Sequence, residues 1–478
     1  MIGTAGFFVL LLVTVPLFTL VAWRWYVLGV ALYLATAANL GMVSNIVSLQ
    51  TADGTSLVEL RDVLFLLVVV IGVLRRRGRV LREPAAEPVI RPILWLLLLV
   101  PLGVAVGLGN HARSIEVARD AVISANWILV PLVFANVERW GQARRLLGAV
   151  LGISALVALG HLAEVASRNR LQLVTGTQGD VATKLLRNFP DGWPLVVLGF
   201  CLSAALFLAA RKSERPWGGG AVLGVAVLTG ASIVLMQARG VIAVSGLAVL
   251  GLFLLARRVS FGRVGLVAGA AAIVLGSSLF VARSALGPDA LRRSLVRVTS
   301  LSPSGGGTLE DVDPRRFVEA VATVDVLRAH PLTGVGMGTY YYDPSPYGGG
   351  TGAFAHNGYL WYAVKLGLPG LFLVLLALVR IGGITIGSAR RLDASPLAVL
   401  VLGLGLGMGA LALVANLSNV IGTVRGLPFF AVGLGLIVRL HHELESGSGG
   451  PGARAAPAGR TVPVADAPAP ARPASAGA

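Results

Sequence analysis

Along most of the chain, apolar residues come in nearly unbroken blocks separated by short connections rich in arginine. A membrane-crossing helix needs about 20 mostly apolar residues. Roughly thirteen blocks meet that demand, at 6–22, 25–42, 57–74, 93–109, 117–136, 146–165, 194–210, 220–237, 240–256, 264–281, 357–380, 396–416 and 422–439. The pattern predicts an all-α fold, a polytopic membrane helix bundle of about 12–13 transmembrane helices. Residues 6–22 read as a span because no A-x-A-type cleavage site precedes the next block.

Composition narrows the class. Of 478 residues, 55% are hydrophobic and only 13% are charged. A soluble domain is about a quarter charged, so a soluble or disordered chain is excluded. The one cysteine, Cys201, lies in an apolar run and allows no intramolecular disulfide.

The formal net charge is +17; three of the 40 basic residues are lysine, leaving 37 arginines. In a soluble protein such basicity would suggest nucleic acid. Here it follows the positive-inside rule, and no nucleic-acid partner is expected. The 75–92 connection holds six arginines, and 137–145, 211–219, 257–263 and 380–395 hold three basic residues each. All five fall on one side if the spans alternate, which makes that side cytoplasmic and the N-terminus external. A membrane domain is therefore expected over 1–440, with a disordered cytoplasmic Gly/Ala/Pro-rich tail over 441–478.

Two long connections face outward, 166–193 and 282–356. The first carries Arg168, Arg170, Lys184 and Arg187, more cations than an outer loop of 28 residues should hold. The charge sets Glu59/Arg61/Asp62 and Glu116/Arg119/Asp120 begin two spans alike, as interfacial ion pairs do.

The 282–356 loop is the most informative stretch and should contain short helices. The run PRRFVEAVATVDVLRAHP reads as one, with Asp313 as N-cap, Pro314 at the first helical position and a stop before Pro331. Arg315 and Arg316 sit in the first turn, where the helix dipole disfavours cations. An anion bound there would meet free N–H groups and two guanidinium forks. The following G-V-G-M-G run has no preceding strand and no phosphate-binding lysine, so its glycines are expected to let backbone pass close to membrane helices. His356 and Asn357 stand where the loop re-enters the membrane, and a lone His there is commonly a capping residue.

These motifs together resemble the signature of the O-antigen ligase and polymerase superfamily. The resembling residues are His330-Pro-Leu-Thr-Gly-Val-Gly-Met-Gly338, Ala355-His-Asn-Gly-Tyr-Leu360 and Gly367-Leu-Pro-Gly370. Arg316 lies fourteen residues before the His-Pro pair, and Gln237-Ala-Arg239-Gly240 opens another span. The resemblance covers about 190–440. It departs at Lys365, where the family often has Glu, and at Asn188–Trp193, where an Asn-Pro-Asn-like segment is poorly kept.

The resemblance implies a membrane glycosyltransferase of the bacterial cytoplasmic membrane with its active face outward. Its donor would be an undecaprenyl-diphosphate-linked glycan and its acceptor a glycan or lipid hydroxyl, with membrane lipids around it. Transfer would be inverting and independent of metal or other cofactor. Fixed guanidiniums suit a leaving diphosphate, which points to Arg239 and Arg316, then Arg315 and Arg187. His356 is the candidate that deprotonates or positions the acceptor, and Asn357 orients it. Glu319 is the second candidate base; as an i,i+3 neighbour of Arg316 it also reads as an ordinary ion-pair partner. Tyr340, Tyr341, Tyr342 and Tyr347 suit either sugar stacking or an interfacial aromatic belt. A lipid-glycan transporter or flippase and a non-catalytic assembly scaffold are the alternatives.

Overall fold

The computed structural model describes residues 4–40, 48–50, 56–76, 79–167, 190–236, 238–256, 314–342, 355–392 and 395–446, with isolated positions between 262 and 269. The chain is an all-α, multi-pass membrane bundle. Its helices are α1 (Thr4–Arg24), α2 (Tyr26–Ala37), α3 (Leu60–Arg76), α4 (Arg79–Ala86), α5 (Ile90–Gly109), α6 (Ser114–Ala125), α7 (Leu129–Asn136), α8 (Trp140–Ala166), α9 (Trp193–Leu208), α10 (Gly219–Leu235), α11 (Arg239–Leu255), α12 (Pro314–Ala329), α13 (Gly358–Ala389), α14 (Pro396–Val414) and α15 (Leu427–Ser446). A short antiparallel pair, β1 (Ser48–Gln50) and β2 (Ser56–Glu59), precedes α3; the hydropathy pattern did not predict it.

Among the described residues six helices are long and apolar enough to cross a membrane: Ile90–Gly109, Ser114–Asn136, Trp140–Val165, Gly358–Ala389, Pro396–Val414 and Leu427–Ser446. Val9–Arg24, Tyr26–Ala37, Trp193–Leu208, Gly219–Leu235 and Gly240–Leu255 are shorter apolar helices. The expected span at 264–281 lies outside the described residues apart from isolated positions. So does the chain beyond 446, and α15 runs past the expected boundary at 440.

Burial sorts the helices into layers. α9 is almost wholly buried and packs against α8, α10 and α14, so an element apolar on every side has protein on every side. α1 lies at the periphery: Leu12, Val13, Leu17 and Leu20 are exposed on a helix whose only apolar solvent is lipid.

The glycine loop after α12 is threaded between α5 and α13. Gly334, Gly336 and Gly338 take positive φ (62°, 82° and 72°), a region a Cβ disfavours. A Cβ on Gly336 would stand 2.2 Å from Gly107 N, and one on Gly107 would stand 2.0 Å from Met337 O. Met337 N–H donates to Gly103 O at 2.9 Å, and its side chain is fully buried. α13 accommodates the loop by breaking at Gly367 (φ 69°, ψ −173°), after which Leu368 N–H donates to Pro331 O at 2.8 Å. The expectation that these glycines permit close backbone approach is met at each point.

Candidate active site

The loop helix α12 begins at Pro314 as expected and ends before Pro331; the expected cap Asp313 lies outside the described residues. Arg316, Glu319 and Thr323 are spaced to share one face of it. Glu319 is buried there, and its carboxylate spans the start of α13. Oε2 lies 2.8 Å from His356 Nδ1, and Oε1 accepts from the backbone N–H of His356 at 2.6 Å and, more weakly, of Asn357 at 3.5 Å. A negative group at a helix N-terminus is favoured by the dipole and by the unmet N–H groups.

Asn357 is the N-cap of α13: its Oδ1 accepts from Tyr359 N–H at 2.9 Å and Leu360 N–H at 3.2 Å. The side chain expected to orient an acceptor therefore has a structural use as well.

Two facts separate the roles within the His356–Glu319 pair. A carboxylate only accepts hydrogen bonds, so Nδ1 carries the proton and, in the neutral ring, Nε2 is the basic nitrogen. The imidazole is 31% exposed and the carboxylate 3%, so a substrate can reach the histidine and not the glutamate. The contact holds the imidazole in one tautomer against a buried carboxylate. The sequence had offered Glu319 as a second base or as a partner of Arg316; its contact with His356 across 37 positions was not legible.

Tyr341 stands beside this pair. Burial pushes its hydroxyl well above the ordinary tyrosine range, Glu319 and Tyr342 push it the same way, and Thr323 opposes them. It stays a neutral phenol. Its ring meets that of Tyr342 edge-on, with centroids 5.0 Å apart.

The connection 415–426 joins the other predicted residues to this end of the bundle. Gly358 N–H donates to Ala415 O at 2.8 Å, and a Cβ on Gly240 would stand 2.8 Å from Leu417 Cδ1. The first turn of α11, opened by Arg239, and the His356–Asn357 segment thus border one connection. The side chains of Arg239 and Arg315, and all of Arg187 and Tyr347, lie outside the described residues. Arg316 is half-buried.

From Asn357, Tyr359 and Asn416 an apolar groove of about 730 Å³ runs between α11, α13 and α14 as far as Leu255 and Ile386. Val244, Leu247, Leu375, Leu378 and Met408 form its walls. Asn357, at its polar end, directly follows His356 in the chain.

The partners of several buried polar groups were not read from the sequence. Lys365 is fully buried, with Nζ 3.2 Å from Asp120 Oδ2 and 2.9 Å from Thr339 O. Asp120 Oδ2 also accepts Gly338 N–H at 2.7 Å. Asp120 thus departs from the interfacial pairing expected of its cluster, which Glu59–Arg61 (2.7 Å) and Glu116–Arg119 (3.6 Å) do follow. His161 Nδ1 lies 2.9 Å from Ser232 Oγ, both buried, one turn from the buried Glu164. The signal for these was present: ionisable residues inside apolar blocks are costly and call for partners.

Residues 224–375 match the O-antigen ligase family. No curated relative matches the chain. The matched stretch runs from within α10 into α13 and holds Arg239, Arg316, Glu319, His356 and Asn357. The protein is a multi-pass membrane protein whose residues 224–375 match the O-antigen ligase family, the superfamily its motifs resemble.

Proposed function

We propose that the protein transfers a glycan from an undecaprenyl-diphosphate-linked donor to an acceptor hydroxyl at the outer face of the cytoplasmic membrane, with inversion and without a metal. The observation that carries this reading is that the Glu319-held His356 directly precedes Asn357, which lines the polar end of an apolar groove. A lipid-linked sugar needs that juxtaposition: an apolar channel for the tail and a base where the headgroup ends.

His356 Nε2 takes the proton of the acceptor hydroxyl as its oxygen attacks the anomeric carbon from the face opposite the diphosphate. The bond from that carbon to the diphosphate oxygen breaks, and the lipid diphosphate leaves with the electron pair. Glu319 holds the imidazole and stabilises the imidazolium that forms. Arg316, one turn from Glu319, and Arg239, at the start of α11, offset the charge gathering on the diphosphate, with Arg315 and Arg187 as further cations. Asn357 fixes the backbone from which His356 projects. Tyr341 offers a neutral hydroxyl and, with Tyr342, an aromatic edge for sugar.

The test is to reconstitute the purified protein with a lipid-linked oligosaccharide and measure transfer. His356→Ala should abolish transfer, and Arg316→Ala should reduce it severely, while both proteins insert normally. Transfer by His356→Ala within a few-fold of wild type would overturn the assignment. In cells lacking the gene, accumulated lipid-linked single repeats identify a polymerase, whereas accumulated unattached polymer identifies a ligase.

A further inference from the structure

At the opposite end of the bundle from His356, three helices bring arginines together. α1 ends at Arg24, α3 carries Arg75 in its last turn, and α8 carries Arg145 in its second turn. All three line one pocket of about 490 Å³, with Gln142 and Trp25 at the rim and Leu28, Ala31 and Ala149 along its wall. Arg75 Nη1 is anchored on Trp23 O. Among the described residues no carboxylate lines the pocket, and none of these three arginines forms an ion pair. The acids nearby are committed elsewhere: Glu138 to Arg76 at 2.6 Å and Glu443 to Arg439 at 2.9 Å.

Three unpaired guanidiniums above an apolar wall have one chemical complement, a ligand with an anionic head and apolar tails. The surroundings place that ligand in the membrane. Trp25 is 53% exposed, as interfacial tryptophans are, and Leu28 and the neighbouring α1 residues Leu17 and Leu20 are exposed to lipid. These arginines sit on the side that the basic connections mark as cytoplasmic, where basic pockets between membrane helices bind anionic headgroups. Ordinary interfacial arginines satisfy the positive-inside rule one by one; they do not converge from three helices on an acid-free cavity.

We propose that this pocket holds one anionic phospholipid of the cytoplasmic leaflet, its phosphate between Arg24, Arg75 and Arg145 and its acyl chains along Leu28 and Ala31. The lipid ties the α1–α2 turn to α3 and α8. The site is separate from the His356 end and does not depend on the function proposed for it.

The full-length protein is incorporated into phosphatidylcholine nanodiscs doped equally with phosphatidylglycerol and phosphatidylethanolamine, then released and weighed intact with its retained lipids. Wild type should retain phosphatidylglycerol preferentially. The triple variant Arg24→Gln/Arg75→Gln/Arg145→Gln should lose about a hundredfold in that preference, at about 1 kcal/mol per arginine and tenfold per 1.4 kcal/mol. Each single variant should lose about fivefold, which keeps the test informative if the triple variant fails to insert. Replacing all three with lysine should retain most of the preference. Removing the same charge from exposed arginines elsewhere on that side, Arg82→Gln/Arg211→Gln/Arg390→Gln, should leave it unchanged. Equal retention of the two lipids by wild type, or an equal loss in that second triple variant, would overturn the site. Displacement of the lipid by inorganic phosphate alone would replace a phospholipid with a simple anion as the occupant.

Discussion

Lys365 Nζ lies 3.2 Å from Asp120 Oδ2, fully buried, and joins three parts of the chain. Asp120 comes from α6, Lys365 from the first half of α13, and Gly338 N–H completes the acceptor's shell from the glycine loop between them. The sequence presented Lys365 as a departure from the family pattern, where Glu is common. The buried charge of Lys365 is balanced by an acid that another helix supplies.

Lys365→Met should therefore destabilise the protein strongly, because Asp120 would be left buried without its cation. Such losses are about 3–5 kcal/mol. Lys365→Glu should be worse, since it sets two carboxylates against each other. Adding Asp120→Asn to Lys365→Met should recover much of the loss, as the amide oxygen can still accept Gly338 N–H. Thermal unfolding of the detergent-solubilised protein measures all three. A Lys365→Met variant as stable as wild type would show that the ion pair carries no stability.

Glu319→Gln tests the other buried acid. Glutamine keeps an acceptor for the His356 backbone N–H at nearly the same place, so α13 should still start correctly. The negative charge that holds Nδ1–H and favours the imidazolium is lost. Transfer should fall by about 10²–10⁴-fold, the scale of a general-base contribution, while the melting temperature changes little. Glu319→Ala should lower both, because it also strips acceptors from the helix start. Steady-state transfer by the glutamine variant within twofold of wild type would remove Glu319 from the machinery.

The difference between legible and illegible features runs along sequence separation. The helices and the start of α12 at Pro314 are local and are written in local patterns, whereas the cap of α13 falls on Asn357 and not on the expected His356. The glycine loop was legible as a close approach because three glycines in five positions have few other uses. The partners were not legible. Glu319–His356 spans 37 positions, Arg425–Asp191 (2.8 Å) more than 200 and Lys365–Asp120 more still, and no periodicity encodes which acid meets which base. The strand pair before α3 was hidden because β1 fell in a connection and most of β2 was absorbed into the apolar block at 57–74. The same averaging hid His161 and Glu164, since an apolar block tolerates two polar positions.

The threading of the glycine loop makes a steric prediction. Gly336→Ala puts a Cβ 2.2 Å from Gly107 N at a positive φ, and Gly107→Ala puts one 2.0 Å from Met337 O. Each should cost at least 1–3 kcal/mol, roughly the overpacking range, because the obstacle is backbone and cannot rotate away. Gly109→Ala, two residues along the same helix with nothing within 4 Å of its Cβ, should be near neutral. Yield of monodisperse protein and its melting temperature separate the outcomes. Equal behaviour of Gly107→Ala and Gly109→Ala would show that the loop is not wedged against α5.

The groove gives the last prediction, and it bears on the donor. Gly409 lines the groove on α14, and a Cβ there meets nothing within 4 Å, so Gly409→Phe can be accommodated only by filling the channel. If a lipid tail lies there, the ring displaces several methylenes, each worth about 0.8 kcal/mol when buried. Donor KM should rise by tenfold or more. The melting temperature should hold or rise, because the ring covers apolar wall. Gly383→Phe on α13, equally open but exposed outside the groove, serves as the matched control and should leave KM unchanged. A donor with a shortened tail distinguishes the mechanisms further: it should bind wild type weakly and lose little more on Gly409→Phe, because the part of the tail that the ring excludes is already missing. An equal loss for long and short donors would mean that the ring distorts the His356 end, not that it competes with the tail.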